Sequence, residues 1–317
     1  IQTLTGGTGT DSLRITADTS SDSVIAADVI SITNFETFEF VEDDSTADAT
    51  TSFISHDNNI ADGASLTIDA TALSGAATIS VANETNGSAT VNTGTGADTV
   101  TASQSDQGDS ISTGSGNDTI IASSAQLTAA DTISGGAGTD TLEISNNAAA
   151  ADGIFAGLSG IEIVASSSDI QLEVDLGANA AAAGITTVNF NDLNDHDTLT
   201  VGAGFTNNLT VNLDADTDAN SIVATNYTGA LTVTADDIDL DAATSGQLIT
   251  ITGGTGADVL QITVDDDADA IASADLANIT KIETFQILEG QDDATASITL
   301  HNNNAAYTHA ALYDTLT

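Results

Sequence analysis

TGTGADTV at Thr93–Val100, TGSGNDTI at Thr113–Ile120 and GGAGTDTL at Gly135–Leu142 are three spellings of one pattern, G-x-G-x-D-x-(apolar). Two further copies stand apart from them, GGTGTDSL at Gly6–Leu13 and GGTGADVL at Gly253–Leu260. Between the central three lie abbreviated copies, Gly108-Asp109-Ser110-Ile111 and Ala130-Asp131-Thr132-Ile133. The central aspartates therefore fall at positions 98, 109, 118, 131 and 140, steps of 11, 9, 13 and 9 residues. Each step has room for a short loop and a three-residue strand, so the run reads as a local stack of turns. Gly and Asp are common in ordinary β-turns. Seven recurrences of Asp-x-apolar, five with G-x-G ahead, argue for a built repeat instead.

These residues resemble the RTX (repeats-in-toxin) nonapeptide, G-G-x-G-x-D-x-U-x with U apolar, a calcium-binding parallel β-helix repeat. The resemblance implies a role for each position. Glycine permits positive φ, which lets backbone carbonyls turn toward a cation. The Asp adds carboxylate oxygen, and an all-oxygen shell suits Ca²⁺. The apolar residue two places on points into a narrow core between two ladders. In the family each ion lies between successive loops, so a lone repeat cannot complete a site. The implied metal residues are Gly94, Gly96, Asp98, Gly108, Asp109, Gly114, Gly116, Asp118, Asp131, Gly136, Gly138 and Asp140 in the central run, about 91–145. Gly7, Gly9, Asp11 and Gly254, Gly256, Asp258 are candidates that need ligands from outside the repeat; for them a plain turn and a calcium loop are both open.

A longer unit surrounds the short one. ITNFETFEF at Ile32–Phe40, LSGIEIVA at Leu158–Ala165 and ITKIETFQI at Ile279–Ile287 each follow a G-x-G-x-D copy. Their glutamates trail the aspartates by 25, 22 and 25 residues: Asp11 to Glu36, Asp140 to Glu162, Asp258 to Glu283. SHDNNIA at Ser55–Ala61 returns as LHNNNAA at Leu300–Ala306. The chain thus divides into repeat units 1–134, 135–252 and a partial 253–317, like a piece of a longer tandem array. This unit is similar to bacterial surface-layer proteins of the RTX type, in which β-rolls alternate with β-rich segments.

Composition points the same way. Among 317 residues, 47 are acidic and two basic (Arg14 and Lys281), a formal charge of −45, with no Cys, Pro, Met or Trp. Nucleic acid is excluded as a partner, since phosphate binding needs Lys or Arg, and attraction to anionic lipid fails likewise. A cysteine-free chain has no disulfide, thiolate site or cysteine nucleophile. No apolar run nears the roughly 20 residues of a membrane span, and no basic segment followed by an apolar one stands at Ile1, so any export signal is expected to lie elsewhere or to have been removed. Yet 40% of residues are apolar and only 15% charged, unlike an unfolded chain. Carboxylates at this density repel one another, so compaction calls for counter-ions.

Strands are expected at Val29–Ile32, Thr37–Val41, Ser65–Ile68, Thr78–Val81, Ile170–Leu176, Thr186–Phe190, Leu209–Leu213, Leu231–Thr234, Leu248–Ile251 and Ile282–Leu288. Asn179–Ala183 and Ala305–Leu312 are expected to form short helical turns. Catalysis finds little support. His196 lies between Asp195 and Asp197 in what reads as a solvated acidic loop or a transition-metal site, and His56 and His301 share a repeat position, which favours a structural role. Neither G-x-S-x-G nor H-E-x-x-H occurs. Acid clusters at Asp236-Asp237 and Asp265–Asp267 read as solvated faces or peripheral calcium sites. The expectation is an all-β protein of RTX-like parallel β-roll or β-solenoid turns alternating with β-strand modules, an elongated repeat array. It is expected to bind Ca²⁺, to be extracellular (secreted or on the cell surface), and to be structural and not an enzyme. It would assemble with copies of itself as a surface-layer or fibre subunit, with cell-surface glycan as a further partner and no membrane insertion. A calcium-stiffened adhesin stalk and a non-catalytic module of a secreted enzyme are the alternatives.

Overall fold

The computed structural model describes residues 3–17, 21–43, 50–59, 61–85, 87–167, 170–190, 196–213, 219–240, 248–264, 270–289, 297–301 and 310–313. The chain forms a parallel β-solenoid and divides into two compact units: 1–145 with 153–163, and 146–152 with 164–317. This division is one of contacts, whereas the repeat units expected at 1–134, 135–252 and 253–317 are divisions of the sequence.

In the first unit the chain alternates between two parallel sheets. One stacks Ser12–Ala17, Thr37–Glu42, Ser65–Asp69, Ser88–Asn92, Ser110–Ser112, Thr132–Ser134 and Leu158–Ser159. The other stacks Ser21–Val24, Thr50–Ile54, Ala77–Ser80, Thr99–Thr101, Thr119–Ala122 and Thr141–Ile144. Like positions lie in register: Val100 on Ile120 on Leu142, and Ile111 on Ile133. Those five side chains are buried, because alternate residues of a strand face opposite sides and this set faces the opposing sheet. The apolar residue of the repeat is therefore the core residue. Larger rings fill the earlier coils, where Phe38 and Phe40 each lie 5.3 Å from Phe53.

The second unit repeats the plan. Glu173–Leu176, Thr198–Val201, Ser221–Val223, Thr250–Thr252 and Ile279–Thr280 form one parallel sheet. Thr187–Asn189, Leu209–Asn212, Leu231–Asp236, Val259–Val264, Thr284–Glu289 and Ala310–Tyr313 stack in the other. The helix Ala178–Ala183 turns the chain between them. Asp152 caps it from a distance, accepting the amides of Gly177, Ala180 and Asn179 at 2.8, 3.0 and 3.2 Å, and Gly184 ends it with φ 110°.

The strand expectations hold, with ends shifted by a few residues, except at Val29–Ile32. There a single helical turn, Ala26–Val29, precedes a two-residue strand at Ile32–Thr33. The β-branched run yields because the chain must reverse here. Asp28 accepts the Ile25 amide at 3.1 Å, and the buried Asn59 amide group donates to the carbonyls of Val29 and Ile32, both at 2.9 Å. Asn59 belongs to the SHDNNIA element, and His56 accepts the Asn58 amide at 3.1 Å within the same turn, a structural role. Ala310–Tyr313 is a strand and not the end of a helix, since it pairs with Phe285–Leu288; Ala305–His309 and Asn302–Ala306 lie outside the described residues, as do Asp195 and Asp265–Asp267. Short helices at Ala26–Val29, Ala178–Ala183 and Asp237–Leu240 do interrupt the strands.

Candidate metal centre: two aspartate columns

One coil consumes two of the short repeats, so successive aspartates go to opposite edges of the solenoid. Asp98, Asp118 and Asp140 stack on one edge, and Asp109 and Asp131 on the other.

On the first edge each carboxylate reaches back one coil. Asp98 accepts the Ala77 amide at 2.7 Å, Asp118 the Asp98 amide at 2.8 Å, and Asp140 the Asp118 amide at 2.9 Å. Each aspartate carbonyl in turn accepts an amide from the coil ahead, Thr119 on Asp98 and Thr141 on Asp118, both at 2.8 Å. Glu162 closes the column by accepting the Asp140 amide at 2.9 Å. All three aspartates are at most 1% exposed, and in each Oδ2 is buried with no hydrogen-bond partner among the described residues. The Thr113 hydroxyl, next to Asp118, commits its proton to the Gly135 carbonyl at 2.8 Å. Burial pushes the carboxyls of Asp118 and Asp140 above the ordinary range, against the pull of the amides they accept and, at Asp118, of the adjacent Thr113 hydroxyl; Asp98 and Asp140 raise Asp118 further, and Glu162 raises Asp140.

The G-x-G loops lie beside these carboxylates. Gly114, Gly116, Gly136 and Gly138 have φ of 87°, 144°, 97° and 147°. They also form close columns: a Cβ on Gly138 would sit 1.6 Å from the Gly116 carbonyl oxygen, and one on Gly116 1.9 Å from that of Gly96. Gly94 and Gly114 direct their carbonyls along the stack, accepting the amides of Ser115 and Ala137 at 3.1 and 2.9 Å.

The second edge is built differently. Asp109 accepts the Ala89 amide and the Ser103 hydroxyl on Oδ1, at 2.9 and 3.0 Å, and the Ser103 amide on Oδ2 at 2.9 Å. Asp131 accepts the Asp109 amide on Oδ1 at 2.6 Å, and the amide and hydroxyl of Thr128 on Oδ2 at 2.6 and 3.2 Å. Burial raises the Asp109 carboxyl. Gly108 takes φ 83° in this loop.

The outlying copies resemble the first edge at its glutamate end. Glu36 accepts the Asp11 amide at 2.7 Å and Glu283 the Asp258 amide at 2.8 Å, as Glu162 does for Asp140. The residue two before each glutamate is left-handed: Asn34 at φ 57°, Gly160 at 61°, Lys281 at 57°. Its carbonyl crowds the first glycine of the repeat, since a Cβ on Gly6, Gly135 or Gly253 would lie 1.7, 2.1 or 2.1 Å from it. Asp11 also accepts the Gly7 amide at 2.6 Å. Asp258 is fully buried and accepts the amides of Leu231 and Gly254 at 3.0 and 2.6 Å, one on each oxygen. Gly9 and Gly256 complete those two loops, Gly9 in open space and Gly256 against the Gly229 carbonyl.

Sequence reasoning missed a further column. Asp197 is buried, accepting the Leu172 amide at 2.5 Å, and its own amide donates to buried Asn220 at 2.8 Å. Asp197 is thus part of the coil and not of a solvated acidic loop. Its signal was Asp197-Thr198-Leu199, the Asp-x-apolar end of the repeat without the glycines. His196 is occupied structurally, its Nδ1 accepting the Ala219 amide at 3.1 Å.

Among the described residues no three His, Asp or Glu side chains converge enough to hold an ion alone. A calcium shell here would combine carboxylate with backbone oxygen, which a hard cation taking six to eight oxygens accepts. The buried, unmatched Oδ2 atoms of Asp98, Asp118 and Asp140 fit that chemistry, because burying an ionised carboxylate without a partner is costly. A family model described as RTX calcium-binding nonapeptide repeat (4 copies) matches residues 85–120, 104–125 and 128–143. No curated protein and no solved structure matches the chain.

Proposed function

Because this chain carries RTX calcium-binding nonapeptide repeats between residues 85 and 143, we propose that it is an extracellular structural protein whose β-solenoid is completed by calcium and which assembles with copies of itself, as a surface-layer or fibre subunit does. The observation that carries the calcium part is the column of Asp98, Asp118 and Asp140, each with one buried oxygen left unmatched. Those carboxylates, with oxygens of the Gly94–Gly96, Gly114–Gly116 and Gly136–Gly138 loops, would hold the ions. Bound calcium supplies compensating charge, and the chain's part is to fix the spacing of the oxygens through the stacked coils.

Assembly rests on charge. With 47 acidic and two basic residues, copies repel one another at low salt and have almost no cations for bridging contacts. Calcium shared between carboxylates, or uncharged Thr, Asn and Ala surface, remains as adhesive. A chain of similar modules also meets its next copy head to tail without closing. Light scattering and negative-stain imaging test this: polymers are expected with calcium and dispersal with chelator, while sodium chloride at equal ionic strength replaces calcium only partly. A protein that stays monomeric at high concentration in saturating calcium overturns the self-assembling role and leaves a calcium-stiffened stalk.

A further inference from the structure

The two edges of the repeat stack offer the same residue type in different states. On the Asp98–Asp118–Asp140 edge one oxygen of each buried carboxylate has no hydrogen-bond partner among the described residues, and the loops in front are G-x-G. On the Asp109–Asp131 edge every carboxylate oxygen is engaged, and the loops are Ser103-Gln104-Ser105-Asp106-Gln107-Gly108 and Thr128-Ala129-Ala130. We infer that calcium occupies only the first edge, and that Ser103 and Thr128 take the place of the ion on the second. The inference rests on the calcium reading above and concerns which half of the repeat binds.

The donor geometry carries it. Ser103 and Thr128 each present an amide and a hydroxyl to one neighbouring aspartate, two positive ends aimed at oxygens that a cation would otherwise claim. Ser103 lies six residues before Asp109 and Thr128 three before Asp131, so each loop folds back on its own carboxylate. The same two hydroxyls, as acceptors, lock the loops: the Ser105 amide donates to Ser103 Oγ and the Ala130 amide to Thr128 Oγ1, both at 3.2 Å. The cavity beside Asp109 and Asp131 measures about 10 Å³ and is lined in part by Ala102, Leu127 and Ile133. That is room for about one water. An ion entering there would face donors and methyl groups, not the carbonyl-rich loop that hard-cation coordination needs. The first edge offers the reverse: Oδ2 of Asp98, Asp118 and Asp140 is buried without a hydrogen-bond partner among the described residues, and the Thr113 hydroxyl beside Asp118 points its proton at the Gly135 carbonyl, 2.8 Å away.

The test is calorimetric calcium titration of the full 317-residue chain and its isosteric variants, with folding checked by circular dichroism. Asp118→Asn and Asp140→Asn are expected to lose bound ions, and Asp109→Asn and Asp131→Asn to keep wild-type stoichiometry and affinity. Loss of ions in Asp131→Asn overturns the one-sided inference while leaving the calcium reading intact. Absence of calcium binding in the wild type overturns the calcium reading itself. Should a variant misfold, anomalous diffraction from wild-type crystals grown with calcium decides the same question: peaks along Asp98–Asp118–Asp140 alone support the inference, and a peak at Asp109 or Asp131 overturns it.

Discussion

At the scale of single residues, the repeat's glycines and aspartates answer to different demands. Gly116 and Gly138 combine a left-handed backbone with a neighbouring carbonyl where a side chain would stand. Gly116→Ala is therefore expected to destabilise by at least ~1–3 kcal/mol, the usual cost of an L-residue forced into such a conformation. Gly9→Ala, with nothing within 4 Å of its would-be Cβ, should stay within about 0.5 kcal/mol. Urea denaturation in chelator compares the two. The aspartates make pH a second probe. Burial raises the folded-state values of Asp109, Asp118, Asp140 and Asp258 above the ordinary 3.8, so the folded chain holds more protons there than the unfolded chain. Stability then falls as pH rises through those raised values and is regained as pH falls back toward 3.8. Without calcium, the melting temperature should climb on mild acidification. With calcium, which needs the ionised form, the slope should reverse. Asp118→Asn should flatten both slopes; equal slopes in calcium and chelator would refute the assignment.

Among elements, the unit of construction is a strand, its loop and one carboxylate reaching back to the previous coil. The expected outcome of breaking one link follows from Glu162, which accepts the buried Asp140 amide at 2.9 Å. Glu162→Ala strands that donor and should cost ~1–3 kcal/mol. Glu162→Gln keeps an acceptor and removes the negative charge that raises Asp140, so in chelator it should be neutral or slightly stabilising. Thermal melts of the two variants against wild type decide it. This link shows what the sequence makes legible. The 25-, 22- and 25-residue separations of Asp11–Glu36, Asp140–Glu162 and Asp258–Glu283 are plain in the sequence, and so is the apolar core position. Their meaning is not, because only coil register shows that the glutamate occupies the next aspartate's place in the column. Asp197 and Asn220 escaped for a related reason: they keep the hydrogen-bond geometry without the glycines that mark it. Val29 and Ile30 misled because β-propensity describes a half-buried pleated surface, and here the chain turns a corner. The difference between Asp109 and Asp118 was invisible in the Asp-x-apolar pattern, since it depends on whether a Ser or Thr folds back onto the carboxylate.

For the molecule as a whole, the balance is between short parallel ladders that bury Val, Ile and Leu and a charge of −45 that opposes compaction. Hydrogen bonds from backbone amides satisfy one oxygen of Asp98, Asp118 and Asp140 but cannot remove the cost of burying charge. Two kinds of cation act on this balance in different ways. Monovalent salt screens exposed carboxylates within a Debye length of about 10 Å at 0.1 M and barely reaches the buried column. Calcium bound only by the folded chain adds RT ln(1 + [L]/Kd) per site, about 2.7 kcal/mol at a hundred times Kd. The melting temperature is therefore expected to keep rising with the logarithm of calcium concentration above the binding range, at a slope proportional to the number of ions held. In sodium chloride it should rise modestly and level off. Asp118→Asn should reduce the calcium slope while leaving the sodium response unchanged, because screening acts on the surface charge it does not alter. Calorimetric melts across both salts measure these slopes, and a calcium response that matches sodium at equal ionic strength would show that the aspartate column binds no ion.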